Sequence, residues 1–129
     1  MKQFRILALA ITVIFFAASC SKDKPNNPVD NASIQGRWNI SSIQTVEPNN
    51  ETNTYTGKQG DFIEFKADGT ATSSVDGTEV SQNYKLVDAK HIEFDGDLTE
   101  IKELTSNKLV IYDAPEEGQP EKITYNFTK

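Results

Sequence analysis

The residues able to do chemistry are few. There is one histidine and one cysteine among 129 residues. A single cysteine excludes an intramolecular disulfide and any cysteine-built zinc site. His91 follows Lys90 at the start of an apolar-alternating stretch and faces away from Ile92, so it is expected at a solvent-facing strand edge. One histidine without cysteine partners does not make a transition-metal site. Asp95-Gly96-Asp97, with Thr99 and Glu100 close by, gathers hard oxygen donors. It lacks the spaced ligands and terminal glutamate of a twelve-residue calcium loop, and Asp-Gly is also a hairpin signal. Glu116-Glu117 reads as a solvated acidic loop tip. A glycosidase needs two carboxylates with one in an apolar setting, and no acid here shows such a setting in sequence. No nucleophile elbow, phosphate loop, dinucleotide fingerprint or metalloprotease motif occurs. Neither an enzyme nor a bound cofactor is expected. Asn31-Ala32-Ser33, Asn50-Glu51-Thr52 and Asn126-Phe127-Thr128 match the glycosylation pattern, which is expected to arise by chance here.

Cys20 gains its meaning from what precedes it. Lys2 and Arg5 make a positive amino-terminal region, and residues 6–18 form an uncharged, mainly apolar run. That run is too short for a bilayer span, which takes about 20 residues. It suits the apolar region of a signal peptide. Ala17-Ala18-Ser19 then lead into Cys20. This ending resembles the lipobox of bacterial lipoproteins, although that family prefers leucine where Ala17 stands. The resemblance implies cleavage before Cys20, a diacylglycerol thioether on its sulfur and acylation of the new amino terminus. The other reading is an ordinary secretory leader cut near Ser19. It would leave an exposed thiol in an oxidising compartment, which suits export poorly. Two or more acyl chains are needed for stable anchoring.

Residues 21–33, SKDKPNNPVDNAS, have two prolines and no aromatic side chain, the composition of a tether. Extended at about 3.1 Å per residue they reach roughly 40 Å. Lys22-Asp23 weakly resembles charged signals that send some lipoproteins to the cell exterior. The expected organisation is a signal peptide over 1–19, a lipidated cysteine and tether over 20–33, and one domain over 34–129. The expected location is the cell envelope, on the outer membrane, facing either the periplasm or the exterior. The net charge of −6 repels phosphates, so nucleic acid is not an expected partner.

From Ile34 onward the apolar residues recur with period two. Candidate strands cover 33–46, 61–67, 70–75, 78–87, 91–94, 97–104, 108–113 and 121–128, with a long loop over 47–60 and a shorter one over 115–120. Asp68-Gly69, Asp76-Gly77 and Asp95-Gly96 are hairpin turns. No convincing helical period appears. Short sequential connections favour antiparallel neighbours. The expected fold is all-β: a small eight-stranded antiparallel up-and-down barrel, with a two-sheet sandwich as the alternative. At this strand number the interior is filled by side chains or holds one small ligand.

Three patterns in this order resemble the lipocalin-like domains of exported bacterial lipoproteins, a calycin-like barrel: Gly36-Arg37-Trp38, then Phe62-Ile63-Glu64-Phe65 running into Asp68-Gly69, then 101–105 followed by 108–111. The resemblance implies that Trp38 plugs the closed end of the barrel, often beneath an arginine of the last strand. This chain has no arginine after Arg37, leaving Lys122 or Lys129 for that place. It also implies a small apolar or amphipathic ligand, with Trp38, Ile40, Phe65, Tyr84, Leu86, Ile111 and Tyr125 as candidate lining. These alternate-face residues are equally the expected core. The chain is expected to be a monomer, and the alternative function is a non-enzymatic protein-interaction or inhibitor module on the cell envelope using the loops at 47–60 and 115–120.

Overall fold

The computed structural model describes residues 34–114 and 121–129. Cys20, the tether and the loop over 115–120 lie outside the described residues. The described chain is a nine-stranded antiparallel sheet. Its strands are β1 (Gly36–Val46), β2 (Thr52–Thr56), β3 (Phe62–Phe65), β4 (Thr70–Val75), β5 (Thr78–Asp88), β6 (His91–Phe94), β7 (Asp97–Leu104), β8 (Lys108–Asp113) and β9 (Lys122–Thr128). The last strand pairs with the first, so eight strands close into an up-and-down barrel. β2 is the extra one, and it corrects the expectation of a plain loop over 47–60. Thr and Tyr are good strand formers, and Ser42 to Val46 pair with Thr52 to Thr56.

β1 organises the ring because it is long enough to serve different partners along its length. Residues 36–39 pair with β3, while 39–46 pair with β9. A bulge between Ile40 and Ser42 resets the alternation, so Ile43 rather than Ser42 returns to the interior. Two turns have the mirror-type conformation that suits strand twist: Asp76 and Gly77 at φ of 50° and 81°, Asp95 and Gly96 at 48° and 105°. The Asp68-Gly69 turn is longer than a two-residue hairpin. Lys66 N–H donates to the Thr70 carbonyl and the Asp68 carboxylate accepts from Thr70 N–H.

The core is densest at the end where β1 begins. Trp38, Phe65, Ile34, Ile92 and Leu109 are sealed from solvent. Each such side chain contributes about 1.5–3 kcal/mol by burial. The Trp38 indole N–H donates to the Ile34 carbonyl at 2.7 Å, and the Lys129 ammonium stands 4.2 Å from the ring centroid. The same ammonium donates to the Gln35 carbonyl, so the tail of the chain is fastened over the floor. Of the two lysines available for that place, Lys129 fills it.

At the opposite end the β1–β2 hairpin is latched to the wall. The Asp61 carboxylate is buried and accepts from the Tyr55 hydroxyl at 2.6 Å, Lys58 N–H at 2.7 Å and Asp76 N–H at 2.9 Å. These bonds, the tyrosine's first, hold its carboxyl below the ordinary value. Just after β2, Gly57 N–H donates to the Ser41 carbonyl at the bulge. A Cβ on Gly57 would lie 1.8 Å from the Ile40 carbonyl oxygen, whereas one on Gly60 would meet nothing within 4 Å. Gly57→Ala is therefore expected to cost about 3 kcal/mol, at the upper end for single substitutions. Gly60→Ala, strained only by its φ of 99°, should cost about 1 kcal/mol. Urea denaturation of the two variants side by side checks the order, and equal losses would contradict the close approach.

Candidate functional site

The interior is packed at the floor but not at the other end. A cavity of about 420 Å³ lies above the floor, bounded by Ile40 and Ile43 of β1, Ile63 of β3, Ser73 and Val75 of β4, and residues of β5 through β9. Its mouth is framed by the β4–β5 hairpin, the β6–β7 turn and the ends of β8 and β9. Val80, on the cavity wall, is 53% exposed, so the space communicates with solvent there.

The reason for the void lies in side-chain size. On the interior phase of β4 the residues are Ala71, Ser73 and Val75. All are small and leave the middle of the barrel unfilled on that side. The same space is bordered by the rings of Tyr125 and Phe127, stacked with centroids 6.3 Å apart, and by Phe94. Phe65 closes the bottom with Tyr84, edge to face at 5.0 Å, and Phe94 lies 6.2 Å from Phe65.

The residues named from sequence separate into two groups. Ile40, Ile111 and Tyr125 border the cavity. Trp38 and Phe65 belong to the floor beneath it, with Tyr84, whose hydroxyl donates to the Lys66 carbonyl. Leu86 is partly buried against the core and does not border the cavity. His91 is half-buried, its Nδ1 lies 2.8 Å from the Asp88 carboxylate, and it does not border the cavity. Among the described residues no group of three or more His, Cys, Asp or Glu side chains is arranged to hold a metal ion.

Sequence reasoning missed the polar part of the lining. Asp97 and Asp113 both border the cavity, and Asp95 joins them at the rim. The period-two pattern carries the signal. Asp113 continues the phase of Leu109 and Ile111, and Asp97 continues that of Ile101 and Thr99. Asp95 is tied back to Asn83, accepting from its backbone and side-chain N–H groups. Burial, and after it the negative charge of Asp97, push the Asp113 carboxyl above its ordinary value. Burial and then the Asp113 charge raise the Tyr125 hydroxyl. Gln82 and Thr99 add neutral polar atoms, although Thr99 spends its hydroxyl on the Ile92 carbonyl.

No family model matches the chain, and the curated proteins include no match to it. The site is therefore read from its own chemistry.

The raised Asp113 value has a consequence for stability. The folded state holds this proton more tightly than the unfolded chain, so the group's contribution is complete below the ordinary aspartate range and is lost as pH rises through the raised value. Asp113→Asn keeps the shape and removes that loss. The variant is expected to be more stable than the wild type near neutral pH, with the gap closing below about pH 4. Urea midpoints at a series of pH values test this, and a variant no more stable at neutral pH would refute it.

Proposed function

We propose that this chain is an exported, lipid-anchored protein of the lipocalin-like type whose barrel holds a small apolar or amphipathic molecule at the cell envelope. The observation that carries the reading is the cavity. At about 420 Å³ it falls within the range of roughly 300–1,000 Å³ typical of small-molecule sites. Its lining is largely aliphatic and aromatic, with a few polar groups gathered toward one end, the distribution that orients a ligand. Trp38 on the floor, under Lys129, further supports the likeness to lipocalins.

The anchor is supported by the leader: Lys2 and Arg5, the apolar run over 6–18, and Ala17-Ala18-Ser19 before Cys20. An acylated Cys20 followed by a tether would place the cavity near a membrane, where apolar molecules concentrate. No catalytic role is part of this proposal, and the partners it names are the membrane and the ligand. A second reading, an interaction module, is favoured by one observation. β2 lies at the end of the strand order, so one of its edges carries unpaired backbone groups that an extended partner segment could complete.

Native mass spectrometry of residues 21–129 tests the binding proposal. A retained small molecule is expected, and Ser73→Phe, which fills the cavity from its small-residue wall, should abolish retention while the chain stays folded. Wild-type protein that emerges empty and takes up no apolar probe would overturn it. For the anchor, intact mass of the full chain recovered from membranes should show acyl additions that Cys20→Ala removes, together with release of the variant from the membrane fraction. Unmodified wild-type Cys20 would overturn that part.

A further inference from the structure

The cavity is chemically polarised along its depth. Its inner part is bordered by Ile40, Ile63, Ile111 and Phe127, and its outer part by Asp97, Asp113 and Tyr125. Neither Asp97 nor Asp113 is reached by a salt bridge from the described residues. The lysines that pair with acids do so elsewhere, Lys58 with Asp76, Lys102 with Glu100 and Lys108 with Glu103. Asp95 is held to Asn83 through one of its carboxylate oxygens, whereas Asp97 and Asp113 have no such tie among the described residues and can turn to an occupant.

Resting on the cavity reading above, we infer that the occupant is an amphipathic organic cation, an apolar body seated against the isoleucines with a single ammonium group held at the mouth between Asp97, Asp113 and the Tyr125 ring. Three features agree on that charge. Two carboxylates, the half-buried Asp113 and the exposed Asp97, have no counter-ion among the described residues, and the partial desolvation around Asp113 strengthens its pull on an opposite charge. Aromatic faces attract ammonium groups, and the Tyr125 ring, whose hydroxyl feels the Asp113 charge, borders the cavity beside that acid. The whole chain carries a net charge of −6, which raises the local concentration of cations and lowers that of anions. A fatty acid has the right body and the wrong head: its carboxylate would stand beside two like charges.

The groups facing Asp113 come from both neighbouring strands: Asp97 on β7 and Tyr125 on β9, with Asp95 beyond Asp97 in the β6–β7 turn. An ammonium arriving there relieves the repulsion that Asp97 imposes on Asp113, so cation binding and deprotonation of Asp113 reinforce one another.

The test compares three probes with the same short apolar body, n-hexylammonium, hexanoate and n-hexanol. Each is titrated calorimetrically into the full chain in phosphatidylcholine nanodiscs, with empty nanodiscs as the blank. Hexylammonium is expected to bind at least about tenfold more tightly than hexanoate, which corresponds to about 1.4 kcal/mol. The Asp97→Asn, Asp113→Asn double variant should lose that preference and keep its affinity for hexanol, which also shows that it is folded. An alkylammonium, like a lysine side chain, stays protonated from about pH 4 to 8. Its affinity should therefore rise across that range as Asp113 deprotonates, while that of hexanol stays flat. Equal binding of the three probes, or a preference for hexanoate, overturns the cation assignment and leaves the cavity as a site for apolar molecules. Failure of all three, hexanol included, overturns the cavity reading itself and this inference with it.

Discussion

The structure depends on one pairing, that of β9 with β1. Every other neighbour in the sheet is adjacent in sequence or separated only by β2, and could form in an open, twisted ribbon. Only the contact between residues 39–46 and the last strand converts the ribbon into a ring. An open sheet of this composition would leave its apolar face wet and its edges unpaired. Closure covers that face and pairs the edges of the eight-stranded ring, with β2 outside it, and the bulge near Ser41 is the local adjustment that keeps Ile40 and Ile43 on the inside while β1 follows the curve. Gly57 belongs to the same adjustment, since its missing side chain lets β2 leave the ring at the bulge without disturbing it.

The two ends of the ring follow different physics. At the floor, side chains fill space and the few polar atoms have partners, as with the Trp38 indole and the Ile34 carbonyl. At the mouth, small residues on β4 leave room, and carboxylates occupy positions of the interior phase where apolar residues would pack better. Asp113 is held there against desolvation. A residue that lowers stability without serving the fold is the kind of local inconsistency found at functional sites. The asymmetry gives the barrel a direction and separates the part that keeps it folded from the part that meets other molecules.

Much of this was legible in the sequence. Alternation through Ile63 and Phe65, Leu109 and Ile111, and Ile123, Tyr125 and Phe127 marks the interior faces, and the Asp-Gly pairs mark the turns with their residue chemistry. Where the reading stopped short, tertiary effects intervene. β2 has too little apolar content to announce itself, because it owes its order to pairing with β1 and to the Tyr55–Asp61 bond. Ile43 lies out of phase until the bulge is known. Alternation could not divide interior residues into floor and cavity, because that depends on the stagger between strands. Thus Trp38, Phe65 and Tyr84 carry the pattern of a lining yet sit beneath the space. Asp97 and Asp113 were hidden by the assumption that charged residues face outward, although their phase within β7 and β8 says otherwise.

Trp38 is the one tryptophan in the chain, and it is sealed under the ring's floor with an ammonium above it rather than beside the open space. Its near-ultraviolet emission is thus an optical gauge of the sealed end alone. Dissolved quenchers such as iodide reach it only where that end opens, so the extent to which they darken the chain reports the share of molecules with an open floor, whatever occupies the interior.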